Sequence, residues 1–414
     1  MTFLLLLLSS LLSLSGLSTA VTSAPCFAED CGAGCPIPPF PPINSLNAIS
    51  ELPDPFLFFN GTKVTTSQDW ICRRAELLSL MEHYELGVKS PSIVSTSGTV
   101  SAQSISISVS SPSLGNQISF VASVQLPTTG SKPYPVLIGV CGSFLNTGAI
   151  QALGVAYINF DCNDIAQQNS AESRGLGKFY DLFGKNATAG ALIAWAWGVS
   201  RLLDVVQADS SGLLDVTKVM VTGCSRNGKG ALVVGALDER IALTIPQESG
   251  SGGSASWRVS DFQGTTVQTL GEIVQENVWF AESLADFGPS PPGSHANQLP
   301  FDHHTLQGAV APRGLLVIEN TGMIWLGNLS VWDNSLTAHK IYEALGFPDH
   351  MGISQVGNHN HCEFPQSQES TVEAFVRKFL LGDTTQNTTI LYTDGSFVYD
   401  EKRWAPWPVP NLGK

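Results

Sequence analysis

The sequence predicts an α/β fold, with a mostly parallel central sheet covered by helices on both faces and entered through antiparallel strands. Short apolar runs at 136–140, 155–160, 218–223, 242–246, 314–320 and 351–356 read as buried strands. Helical stretches separate them, and strands alternating with helices imply parallel pairing under two helical layers. Ahead of this region the period is two. Ile105, Ile107 and Val109 alternate with serines, then Ile118, Phe120, Ala122, Val124 and Leu126 alternate again after the PSLGNQ turn.

From the N-terminus, residues 1–20 (MTFLLLLLSSLLSLSGLSTA) carry no charged side chain and hold an apolar run too short for a membrane span. With small residues at Ser18 and Ala20 they read as a secretory signal peptide. Residues 21–50 are rich in Cys and Pro and read as an extended strap. Residues 51–414 are expected to form a single domain, because no Ser/Thr/Pro linker interrupts them. Trp70, Ala75, Leu78 and Met81 mark a helix within 67–86. Leu192, Trp195, Val199, Leu202, Leu203 and Val206 mark another, and further helices are expected at 228–237, 335–345 and 370–381.

Composition excludes several classes. With 43% hydrophobic residues over 414 positions the chain can bury a large core, so global disorder is excluded. A net charge of −14 repels phosphate backbones and argues against nucleic acid. No segment after the first twenty residues is apolar enough to span a membrane. Eight cysteines behind a signal peptide suggest disulfides. Sequons at Asn60, Asn186, Asn328 and Asn387 suggest glycosylation.

The stretch KVMVTGCSRNGKGALVVGAL (218–237) reads as a strand, a sharp Gly-rich turn and a helix. One reading is a phosphate loop, but Gly230 stands where the loop needs a magnesium-binding hydroxyl. The better reading is a nucleophile elbow that lifts Ser225 to the C-terminal end of the sheet, with Asn227 in place of the usual last glycine. An elbow behind an antiparallel hairpin makes the expected architecture the three-layer α/β-hydrolase sandwich. A serine nucleophile needs a histidine base and an acid to orient it, in the chain order Ser, acid, His. Glu248 follows the next strand, with Asp333 and Asp349 as rival acids. His361, preferred over His359, follows the last strand. Cys224 and Cys362 adjoin Ser225 and His361, so hydrogen-bonded partners would bring them within disulfide reach. A metal site from His359, His361, Asp302, His303 and His304 fits poorly, because nothing else has metal-site spacing.

GCSRNGKGA (223–231) resembles the signature of the glucuronoyl esterases, carbohydrate esterase family 15, fungal secreted type. The resemblance extends through LPDPF (52–56), YELG (84–87), ESGSGG (248–253), WRVSD (257–261), PFDHH (300–304), WLG (325–327) and HCEFP (361–365), nearly the whole mature chain. It implies cleavage of the ester between lignin alcohols and the 4-O-methyl-glucuronic acid side groups of glucuronoxylan. It implies no metal or other cofactor, and a secreted monomer. Carried over residue by residue, it makes Ser225 the nucleophile, Glu248 the acid, His361 the base and Arg226 the oxyanion-stabilising residue. It puts uronate contacts at Lys229, Gln268, Glu276 and Trp325. Two family disulfides fall on Cys35–Cys72 and Cys224–Cys362. Ser256 and a position near Asn334 lack the third, leaving Cys141–Cys162 and Cys26–Cys31 to pair otherwise. Alternatives are another cell-wall carbohydrate esterase, acting on acetyl or feruloyl esters, and a non-catalytic uronate-binding protein on the same fold.

Overall fold

The computed structural model describes residues 29–30, 34–290 and 293–413. The signal-peptide segment and the Cys26–Cys31 pairing lie outside them. A ten-stranded sheet organises the chain. Its strands are β1 (Ser95–Val100), β2 (Ser104–Ser111), β3 (Asn116–Gln125), β4 (Tyr134–Val140), β5 (Ala156–Phe160) and β6 (Leu214–Cys224). They continue with β7 (Ile241–Gln247), β8 (Gly314–Glu319), β9 (Met351–Gln355) and β10 (Leu391–Thr393). The spatial order is β1-β2-β3-β5-β4-β6-β7-β8-β9-β10.

The alternating segments pair antiparallel as expected, with Ile107 opposite Phe120 and Val109 opposite Ile118. Both strands send their apolar side chains to one face and serines or polar residues largely to the other. From β5 to β10 every pairing is parallel. The inner strands are apolar on both faces, because both faces are covered. Val136, Ile138 and Val140 pack with Leu192, Trp195 and Leu232 on one side. Leu137, Met220, Leu243, Ile245 and Leu316 pack with Val372, Phe375 and Val376 on the other. Each such fully buried side chain stabilises the fold by about 1.5–3 kcal/mol.

Five longer helices matter for the site: α1 (Ser67–Met81), α2 (Ala191–Ala208), α3 (Arg226–Leu237), α4 (Asn328–Leu345) and α5 (Glu369–Phe379). The first helix ends earlier than its periodicity suggests, turning into a wider π turn over Glu82–Leu86. Two edge strands, β1 and β10, were not expected from the sequence. The strap from Cys35 onward lies against the core through Phe40, Ile43 and Leu46. Cys35 is bonded to Cys72 on α1, and Ile49 N–H donates to the Asn297 carbonyl.

Candidate active site

Parallel strands deliver their C-terminal ends to one edge of the sheet, so the loops after β6, β7 and β9 are neighbours. Ser225 follows β6 directly and adopts φ 60°, ψ −129° before α3 begins at Arg226. This strained turn is held by the Ser225 N–H donating to the Gln247 carbonyl (2.9 Å). It is closed by Gly228, whose absent Cβ would stand 2.7 Å from that same carbonyl oxygen. The start of α3 turns free N–H groups and the positive end of its dipole towards the space beside Ser225.

Glu248 follows β7, is fully buried, and has a positive φ of 45°. Its N–H donates to the Ile318 carbonyl of β8, which fixes the carboxylate at the sheet edge. Glu248 Oε2 accepts from His361 Nδ1 at 2.8 Å and from the Cys362 N–H at 3.0 Å. His361 is partly exposed, and its Nε2 is left available for a reacting group. His359 also faces Glu248, with Nδ1 3.8 Å from Oε1, but its Nε2 is taken up 2.9 Å from the Val356 carbonyl. The rival acids are elsewhere. Asp333 faces Trp404 and Asp400, and burial with Asp400 pushes its carboxyl up to about 7. Asp349 pairs with Lys378.

Cys224 and Cys362 are joined, with Cα atoms 5.8 Å apart, and Cys141 is joined to Cys162 at the ends of β4 and β5. A ring nitrogen of His361 lies within 4.8 Å of both sulfurs of the first bridge, which as a disulfide is no thiolate ligand. Asp302, His303 and His304 are tied up in structural hydrogen bonds. Asp302 accepts from the Trp257 and Arg258 N–H groups and pairs with Arg258. His303 bridges Glu85 and the Gly253 carbonyl, and His304 meets the Pro53 carbonyl. These bonds brace the loop behind Glu248.

The remaining site residues form one wall. The Arg226 guanidinium and the Lys229 ammonium lie 5.3 and 5.9 Å from the centre of the Trp279 ring. Lys229 is buried and donates to the Ser249 carbonyl. Burial lowers its ammonium to about 8, against the opposing pull of Glu319 and Glu276. That inward turn also removes the lysine a phosphate loop would need at its mouth. Gln268 Nε2 donates to Glu276 Oε2 at 2.9 Å, and the Gln268 N–H donates to the Trp325 carbonyl. Burial raises the Glu276 carboxyl, and Lys229 and Arg226 partly offset this. The half-exposed Trp325 ring stands edge-on to His361, with centres 5.1 Å apart. A cavity of about 520 Å³ opens behind residues 273–282, lined among others by Arg174, Gln275 and Asn277, and none of Ser225, Glu248 or His361 lines it.

Two residues of this wall carry no local sequence signal. Trp279 belongs to no chemical motif. Glu319, at the end of β8, is fully buried, accepts from the Gly250 N–H (3.0 Å), and has no partner at Oε2. Burial, with Glu248 nearby, pushes its carboxyl up to about 8, against the lowering pull of Lys229. Its place at a strand end, on the same edge as Ser225, is the one signal that marks it. Asn328, read as a glycosylation acceptor, is only 6% exposed, and its amide donates to the Thr321 carbonyl. Asn60, Asn186 and Asn387 are exposed.

The family model described as glucuronyl esterase of fungi matches residues 107–346. The 4-O-methyl-glucuronoyl methylesterase of Podospora anserina is 47% identical over 371 residues, covering 88% of this chain and 75% of its own length. That of Phanerochaete carnosa is 43% identical over 389 residues, covering 92% of both chains. Among solved structures, the glucuronoyl esterase catalytic domain of Hypocrea jecorina aligns with a TM-score of 0.83 and 44% identity, over 89% of this chain and 98% of that one. A serine-to-alanine mutant from Sporotrichum thermophile, bound to methyl 4-O-methyl-β-D-glucopyranuronate, aligns with a TM-score of 0.83 and 41% identity, over 91% of this chain and 99% of that one.

Proposed function

This chain belongs to the fungal glucuronyl esterase family, and from that membership we propose that it hydrolyses esters of 4-O-methyl-glucuronic acid, including those linking glucuronoxylan side groups to lignin alcohols. The observation that carries the mechanism is the 2.8 Å Glu248–His361 bond beside a serine on a strained strand-to-helix turn.

Ser225 Oγ attacks the uronate ester carbonyl while His361 Nε2 takes its proton. Glu248 holds the His361 tautomer and stabilises the imidazolium. The oxyanion forms against Arg226 and the N–H groups at the start of α3. Collapse expels the alcohol, which receives the proton from His361. Water then loses a proton to His361 and attacks the acyl-enzyme, releasing free uronate and regenerating Ser225. Lys229, Gln268 and Glu276 hydrogen-bond the sugar, and Trp325 offers its exposed face to the pyranose ring.

Secretion accords with the N-terminal apolar segment and the disulfides, and the reading takes residues 51–414 as the catalytic domain of a monomer. The test is hydrolysis of methyl and benzyl glucuronate esters by the wild type and Ser225→Ala, alongside acetyl-xylan and feruloyl substrates. Turnover of the glucuronate esters by the wild type alone is expected. Activity surviving in Ser225→Ala, or a preference for acetyl or feruloyl esters, would overturn the reading.

A further inference from the structure

Arg226 is exposed and makes no hydrogen bond or ion pair among the described residues; its guanidinium rests on the Trp279 ring. A free arginine samples many rotamers, and a donor that must reorganise stabilises a transition state poorly. Trp279 itself has no such freedom. It is 3% exposed, and its indole N–H donates to Gln168 Oε1 at 2.9 Å. The backbone at Trp279 and just before it is docked on the N-terminus of α2. The Ala191 and Leu192 N–H groups donate to the Val278 and Trp279 carbonyls at 2.9 and 3.1 Å. Gly190 permits that approach, since a Cβ there would meet the Trp279 carbonyl oxygen at 2.5 Å. The ring is therefore fixed to the scaffold at both its backbone and its polar edge, and the cation above it borrows that rigidity.

We propose that Trp279 is a positioning residue for the ester hydrolysis, its indole face holding the Arg226 guanidinium ready for the developing oxyanion. This rests on the oxyanion role given to Arg226 above. The negative face of an indole attracts a guanidinium, and at an exposed arginine such as Arg226 a contact of this kind shifts an equilibrium roughly twofold to fivefold. The contact acts on the transition state more than on the bound ester, so kcat carries the effect.

The test is a double-mutant cycle on methyl glucuronate with Trp279→Leu, Arg226→Ala and the two combined, plus Trp279→Phe. Trp279→Leu is expected to lower kcat about twofold to fivefold, with KM changed by less than about twofold. Trp279→Phe keeps an aromatic face and is expected to retain kcat within about 1.5-fold of wild type. In the Arg226→Ala background both Trp279 substitutions lose their effect on kcat. If Trp279→Leu fails to fold, the same comparison is made with Trp279→Phe, whose smaller loss must likewise vanish without Arg226. Equal losses with and without Arg226 would overturn the proposal and leave the oxyanion role standing. A wild-type kcat in Arg226→Ala would remove the oxyanion role, and this proposal with it.

Discussion

Glu248 and His361 stand 113 positions apart in the chain, and their Oε2 and Nδ1 atoms are 2.8 Å apart. The same carboxylate oxygen takes the Cys362 N–H, so the acid fixes both the ring and the backbone that carries it. Glu248→Gln keeps the shape but loses the charge that favours the imidazolium. It is expected to lower kcat by about a thousandfold or more, measured on methyl glucuronate. Asp333→Asn, remote from His361, should leave kcat unchanged; a large loss there would reverse the assignment of the acid.

The lowered Lys229 ammonium gives the site a pH limb. The group is charged below about 8 and neutral above it. A charge-assisted hydrogen bond is about twice as strong as a neutral one, so if Lys229 holds the sugar, binding is expected to be full below that pH and to weaken above it. KM for methyl glucuronate, and inhibition by free glucuronate, are expected to worsen several-fold as pH rises through about 8. Lys229→Met should show the weak binding at every pH. A KM in the wild type that stays flat across this range would count against the role.

The elbow depends on the missing side chain of Gly228. In Gly228→Ala the new methyl would stand 2.7 Å from the carbonyl that receives the Ser225 N–H. Either the helix start or β7 must shift. The expected result is a kcat at least about tenfold lower and a stability loss of about 1–3 kcal/mol in urea unfolding. A fully active variant would show that the turn is not tightly set.

Opening the Cys224–Cys362 bridge in the double serine variant should cost about 2–4 kcal/mol of stability. It should also lower kcat, because the Cys362 N–H is one of the two bonds on Glu248 Oε2. Unchanged turnover, with only the stability loss, would limit the bridge to a structural role.

Glycan mapping by enzymatic release in heavy-oxygen water is expected to label Asn60, Asn186 and Asn387 but not the buried Asn328. A glycan at Asn328 would require α4 to start differently from its arrangement here.

The inner sheet was legible because its strands are apolar on both faces, a pattern that needs no knowledge of neighbours. The edge strand STSGTV (95–100) was not, since its residues are mostly exposed and its pairing with β2 supplies the stability. Ser225 and His361 were legible from the turn chemistry and from chain order. The choice between Glu248 and Asp333 was not, because both follow the nucleophile and only their packing separates them. Trp279 and Glu319 are placed beside the site by contacts that the sheet and α2 create, with no local spacing to mark them. Asn328 shows the converse: a sequon describes three residues, and burial is decided by the rest of the chain.

The bridge between Cys224 and Cys362 spans a separation of 138 residues. A single backbone cut anywhere between 225 and 361, for instance at the exposed Phe262, would leave one covalent molecule rather than two. The N-terminal piece would keep Ser225 and the C-terminal piece His361, still tied at the residues beside them. A clipped molecule of this design keeps Ser225 and His361 on covalently joined pieces. Clipping would go unseen on a gel until a reducing agent was added.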